Sequence, residues 1–271
     1  MEPHSLVIIL LAVAVGSYLQ ALTGFALGII VLAIAVLTHA ASISIVATTI
    51  TIVAVPGIAI ALARHWRHID RASFIQTLVG LIPGTLLGLA LLAKMSKEHT
   101  ALLQLSLGGL IVAGGIALFI KPQPLASRSG PISFALMGLL GGLMGGMFSI
   151  PGPPLIYHYY RQPVSLQTIR TSLLALSGAM ALIRLLMQGL QGELNQDVLS
   201  LGTLSIPVAI LASWLYVRFP PRLSDLNLRR GAFALFVAMG GFISLTALVP
   251  DALPPANASA VVSPHHSTPA P

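Results

Sequence analysis

The chain has 271 residues, of which 56% are apolar and only 8% are Asp, Glu, Lys or Arg, against about 25% charged in ordinary soluble domains. Its 14 Lys and Arg outnumber its 7 Asp and Glu, but they are scattered through short loops and make no continuous basic surface, which argues against a nucleic-acid partner. The absence of cysteine excludes disulfides, thiolate metal sites and cysteine nucleophiles.

A membrane-spanning helix needs about 20 largely uncharged residues, because unpaired backbone groups are intolerable in hydrocarbon. Apolar segments of this kind follow one another at 5–38, 42–63, 72–93, 100–120, 132–160, 164–190, 196–217 and 227–249. The prediction is an all-α polytopic membrane protein of about eight hydrophobic segments. The start, Met1-Glu2-Pro3-His4, lacks the basic residues of a signal peptide and no small-residue cleavage site follows it, so Ser5 onward is expected to be retained.

The first segment, Ser5 to Thr38, is longer than one crossing needs and is interrupted at Thr23-Gly24 and Gly28, which predicts a broken or re-entrant helix. In the second, Ser44, Thr48 and Thr51 share one helical face; they line a pathway or join neighbouring helices. The third carries Gly80, Gly84 and Gly88, a spacing that lets helices approach closely. After the fourth, Lys121 to Pro131 forms a polar, proline-rich connection.

The fifth segment reads Gly138, Gly141-Gly142, Gly145-Gly146 and then Ser149-Ile150-Pro151-Gly152-Pro153-Pro154. Gly138 and Gly142 suit close packing. The Pro-Gly-Pro-Pro run removes backbone donors at membrane depth, which is tolerated only where the chain is buried in protein or lines a polar cavity. A second broken helix is predicted here, its free amides available to an anion. Beyond it, His158 stands among Tyr157, Tyr159 and Tyr160 as in an interfacial aromatic belt, with proton coupling as its functional alternative.

Ionisable groups within the segments are few: His39 near an end, His158, Arg170 and Arg184, while all seven acids fall in loops or termini. Cation pumps commonly hold a carboxylate in the membrane. An arginine beside Thr171 with no acid partner suits a small oxyanion instead. Arg170 is expected to point inward toward the Pro-Gly-Pro-Pro break and Arg184 to snorkel toward the headgroups. The expected substrate-binding residues are Gly24, Phe25, Gly28, Gly145, Gly146, Pro151, Gly152, Pro153, Arg170 and Thr171. The breaks of segments one and five are expected to approach each other at mid-membrane. No metal site and no cofactor is predicted; the partners are a small anionic substrate and the lipid bilayer, and nothing in the sequence sets an oligomeric state. Residues 250–271, rich in proline and ending past His265-His266, read as a disordered tail.

The halves resemble each other. Gly24 precedes Gly145 by 121 residues, Thr48 precedes Thr171 by 123, and Pro83 precedes Pro207 by 124. An internal duplication follows, with a first repeat at 1–120, a connecting loop at 121–131 and a second repeat at 132–249. If all eight segments cross, the loop Lys and Arg divide five against seven; if segments one and five re-enter, they divide ten against two. The positive-inside rule prefers the second arrangement, which makes the repeats inverted and places both termini outside the cytoplasm.

At Gly145-Gly146-Met147-Phe148-Ser149-Ile150-Pro151-Gly152-Pro153-Pro154-Leu155-Ile156-Tyr157, then Arg170-Thr171 and Gly189, the chain resembles the sulfite-exporter TauE/SafE family, the TSUP transporters. The likeness extends to Leu22-Thr23-Gly24-Phe25-Ala26-Leu27-Gly28 and to the surroundings of Pro83, covering nearly all of residues 5–249. It departs at Ser149, Ile150 and Pro151, where many members carry further glycines, and at Ile29-Ile30-Val31, where glycine and then proline are usual. The resemblance implies a bacterial inner-membrane transporter with duplicated four-segment architecture, often an exporter of sulfite, organosulfonates or related small anions. The residues themselves leave two other classes open: a membrane-embedded enzyme, and a channel or non-transporting membrane subunit.

Overall fold

A computed structural model describes residues 3–23, 26–119, 123–219 and 225–248 of the chain. Gly24, Phe25 and the tail at 250–271 therefore lie outside the described residues. Ten α-helices make up the fold, and no strand occurs among the described residues: α1 (Pro3–Thr23), α2 (Ala26–Leu37), α3 (Ile43–His65), α4 (Arg71–Glu98), α5 (Thr100–Phe119), α6 (Pro131–Phe148), α7 (Pro153–Tyr160), α8 (Leu166–Leu190), α9 (Gln196–Arg218) and α10 (Asp225–Leu248). Five of them, α1, α4, α6, α8 and α9, contain stretches long and apolar enough to cross a membrane. Their outward faces carry Val7, Leu11 and Val15 on α1, Ile75 and Val79 on α4, and Leu182, Leu186 and Leu190 on α8, all exposed. Apolar surface on this scale needs lipid to cover it.

Local sequence sets where the helices begin. Ser42, Asp70, Ser165 and Asn195 are N-caps whose side chains accept the amides of Ile45, Ser73, Thr168 and Val198, satisfying donors that have no partner inside the helix. Pro131 and Pro153 open α6 and α7 after Gly130 and Gly152, where a missing N–H costs nothing. The Asp70 cap is also the anchor of the 121–131 connection. Arg128 reaches it at 2.8 Å and donates to Ser73 Oγ at 2.6 Å, while the Asp70 amide donates to Ser172 Oγ at 3.0 Å. Burial pushes the Asp70 carboxyl up, but the bonds from Ser73 and Arg128 outweigh it and hold the group below its ordinary value.

Segments one and five both fold back on themselves. In a straight helix Gly16 and Leu27, 11 residues apart, would be separated by about 16 Å. Instead, a Cβ added at Gly16 would lie 3.3 Å from Leu27 Cα, and one at Gly141 would lie 2.7 Å from Leu155 Cβ. Each is a helical hairpin in which a glycine on the first arm admits the second. The second arms, α2 with 12 residues and α7 with 8, are too short to cross a bilayer alone.

The closest helix pair is α4 with α6. A Cβ at Gly80, Gly84 or Gly88 would strike the carbonyl oxygens of Ala135, Leu139 and Leu143, and one at Gly138, Gly142 or Gly146 would strike those of Thr77, Leu81 and Thr85. Two rows of glycine at four-residue spacing thus mesh backbone against backbone, the small-residue packing that membrane helices use. A second such crossing joins α5 and α10, where a Cβ at Gly108 would lie 2.7 Å from the Gly240 oxygen and one at Gly240 2.7 Å from the Gly108 oxygen. Elsewhere α1 packs on α9, and α3 packs on both α8 and α9.

Candidate functional site

The two chain breaks meet. Gly28, in the first turn of α2, faces the α6–α7 linker so closely that a Cβ there would lie 2.5 Å from Ile150 Cγ1. Beside this junction is a cavity of about 70 Å³, room for several waters, each of which needs about 10–15 Å³. Gln20, Thr51, Ser149 and Ser177 give it polar walls, while Ile50, Ile150 and Met180 are among its apolar ones. Gln20 is fixed by accepting the Leu27 amide at 3.1 Å, which caps the start of α2. Ser149 closes α6 in the left-handed conformation, φ 58°, its amide donating to the Gly145 oxygen at 2.8 Å. A non-glycine residue in that region costs about 1–2 kcal/mol. Its hydroxyl donates to the Ala47 oxygen at 2.7 Å and contacts the Thr51 hydroxyl.

Behind Thr51 and Ser149 sits Arg184, with none of its surface exposed. Its Nε donates to Thr51 Oγ1 at 3.1 Å, and its Nη1 donates to the Gly145 oxygen at 3.1 Å and also to the Gly146 oxygen. Both carbonyls belong to the last turn of α6, where orphan acceptors and the negative end of the helix dipole collect. That is how a guanidinium is held in the core with no carboxylate within ion-pair distance among the described residues. Its Nη2 has no hydrogen-bond partner among the described residues. One turn further, Gln188 Nε2 donates to Thr48 Oγ1 at 2.6 Å while its Oε1 is unpartnered. Thr48, Thr51, Arg184 and Gln188 therefore form one buried polar track where α3 crosses α8.

Comparison with known proteins places this arrangement. The sulfite exporter TauE/SafE family matches residues 8–260. The chain belongs to that family. A curated protein of Cupriavidus necator described as a probable sulfite/organosulfonate exporter TauE is 36% identical over 233 residues, covering 86% of this chain and 91% of the relative. No solved structure matches it. TauE/SafE proteins are membrane transporters, so this chain is a multi-pass transport protein and not an enzyme.

Within this TauE/SafE chain the residues singled out by sequence fall into separate places. Gly28 and Pro151 line the polar cavity. Gly145 and Gly146 do so only indirectly, through the carbonyls they give to Arg184; their missing side chains make room for Met180 and for α4. Gly152 is packed beside Met144, and Pro153 lines a smaller apolar pocket with Ile29, Leu110 and Ile156. Thr171 is buried one turn before Leu174 of the cavity wall. His158 stands with its ring edge-on to Phe134 at 4.8 Å, away from the cavity lining, and Gly24 and Phe25 lie outside the described residues.

The expectation for the two arginines is reversed. Arg170 is exposed and Arg184 is buried. They sit 14 residues apart, just under four turns, so helical phase does not separate them. The tilt of side chains toward a helix N-terminus does. From the start of α8 that tilt carries Arg170 out toward the boundary, and near the end it carries Arg184 back into the body. That rule, with Gln188 at i+4 on the same face, was the signal in the sequence for Arg184.

Proposed function

We propose that this TauE/SafE protein is a secondary transporter that exports a small sulfur-containing or carboxylate anion, such as sulfite or an organosulfonate, across a bacterial inner membrane. The observation that carries this reading is the meeting of two chain breaks over a polar cavity backed by an arginine with no carboxylate within ion-pair distance among the described residues. Such a place attracts an anion and repels a cation. The printed description of the Cupriavidus necator relative, a probable sulfite/organosulfonate exporter, supports the substrate class. The substrate pathway runs between the breaks past Gly28, Ser149, Ile150 and Pro151. Arg170, one turn before Leu174, supplies steering charge near its mouth.

The architecture we infer is two inverted repeats, 1–120 and 132–249, joined by the loop at 121–131. Helix order supports it, a hairpin followed by three long helices in each half. So does the packing: α4 against α6 is answered by α9 against α1, α3 against α9 by α8 against α4, and α5 meets α10 as α3 meets α8. The ten-to-two division of loop charge then puts both termini in the periplasm and 64–71, 121–131, Arg161 and 218–230 in the cytoplasm. In that orientation the Thr48–Gln188 end of the polar track lies on the periplasmic side of the cavity, so the cavity is placed for loading from inside.

Counterflow in proteoliposomes with sulfite, thiosulfate, sulfoacetate, taurine and simple organic acids tests the function. At least one sulfur oxyanion should exchange faster than in protein-free vesicles. Exchange of a cation alone would reject the anion reading.

A further inference from the structure

We propose that Arg184 is the anion-recognising residue of the cavity, and that an oxyanion binds by drawing its guanidinium off the carbonyls of Gly145 and Gly146. The inference rests on the transport reading above and specifies how that site selects and responds to its substrate.

Three observations converge. First, Arg184 is wholly buried with one terminal nitrogen, Nη2, that has no hydrogen-bond partner among the described residues; a buried, uncompensated guanidinium nitrogen is costly, and a ligand oxygen would offset that cost. Second, the guanidinium is one hydroxyl removed from the cavity. Thr51, which accepts from its Nε, and Ser149, which contacts Thr51, both line the space. Third, its present partners are neutral carbonyls at a helix end. The whole helix end is equivalent to only about half a negative charge, so a full anionic charge with two oxygens in one plane is a better partner for the planar fork.

The exchange has a mechanical consequence. The Gly145 oxygen also accepts the Ser149 amide that ends α6, and Ser149 sits in the left-handed conformation at the break. When the guanidinium moves to an anion, the last turn of α6 loses the cation that holds it against α3 and α8. Occupancy and movement of the break are thereby coupled. The same geometry sets selectivity: sulfite, sulfonates and carboxylates offer two oxygens to the fork, and chloride does not.

The natural lack of cysteine makes a clean test available. Ser177, on the cavity wall, is replaced by Cys, and its labelling by the neutral reagent N-ethylmaleimide is followed in the purified full chain with increasing sulfoacetate or chloride. With Arg184 present, sulfoacetate should slow labelling and chloride should not. Adding Arg184→Gln should raise the half-protecting sulfoacetate concentration by about ten- to a hundredfold, the loss of one charge-assisted contact. Arg184→Lys should also weaken protection, because the charge stays but the fork is gone. If Arg184→Gln is not monodisperse on gel filtration, Arg184→Lys decides. Protection unchanged by the folded Arg184 variants would overturn the proposal and leave the transport reading standing. If no anion of the panel exchanges or protects even with Arg184 present, the transport reading fails, and this proposal with it.

Discussion

At the scale of single residues, one chemical type plays two parts on one helix. Arg184 is enclosed and Arg170 is exposed, though they nearly share a face. The lack of membrane carboxylates, the threonines on one face of α3 and the presence of arginines within the apolar segments were all readable in the sequence. Distance from a helix end alone does not tell which arginine is enclosed; the direction in which side chains lean does. Ser149 and Gln20 as cavity walls were not readable from sequence: Ser149 meets Thr51 across 98 residues of chain, a contact no local pattern encodes, and a break near Gly24 does not say that Gln20 turns to the Leu27 amide. The division of labour predicts different salt behaviour. Arg170→Gln should lower sulfoacetate kcat/KM about twofold at low ionic strength and leave it unchanged in high salt, as expected of an exposed steering charge. Flux assays at two salt concentrations check this, and a loss that persists in high salt would place Arg170 in direct contact with the anion.

At the scale of elements, the breaks were legible because proline and glycine act locally. Pro151-Gly152-Pro153-Pro154 forbids continuous helix, and Ser5 to Thr38 is too long for one crossing. What each glycine meets was only half legible. Four-residue spacing at Gly80, Gly84 and Gly88 announced a close helix contact, but only the fold shows that the partner row is Gly138, Gly142 and Gly146. Gly146, taken from sequence as a substrate-site residue, is thus also part of the α4–α6 seam. That seam tolerates no side chain. Gly84→Val should destabilise the protein by about 1–3 kcal/mol, seen as a lower Tm in detergent. Gly57→Ala on α3, where a Cβ meets nothing within 4 Å, should not lower it. Equal Tm values for the two would contradict backbone contact between α4 and α6.

At the scale of the whole molecule, the membrane class was legible in composition, while which helices pack on one another came only from the fold. The first and fifth segments hold more sequence than one crossing needs, and α2 and α7 return alongside α1 and α6, which brings Gly28 to Ile150. The central claim is that substrate passes where those two breaks meet. Sulfoacetate counterflow in proteoliposomes tests it most directly, comparing the natural chain with Gly28→Val, which puts a branched side chain where a single Cβ would already lie 2.5 Å from Ile150. Folding of the variant is checked by its Tm. The account predicts rapid exchange by the natural chain and at least about tenfold slower exchange by a folded Gly28→Val, whose blocked junction adds at least about 1.4 kcal/mol to the passage barrier. Equal exchange by the two would contradict it.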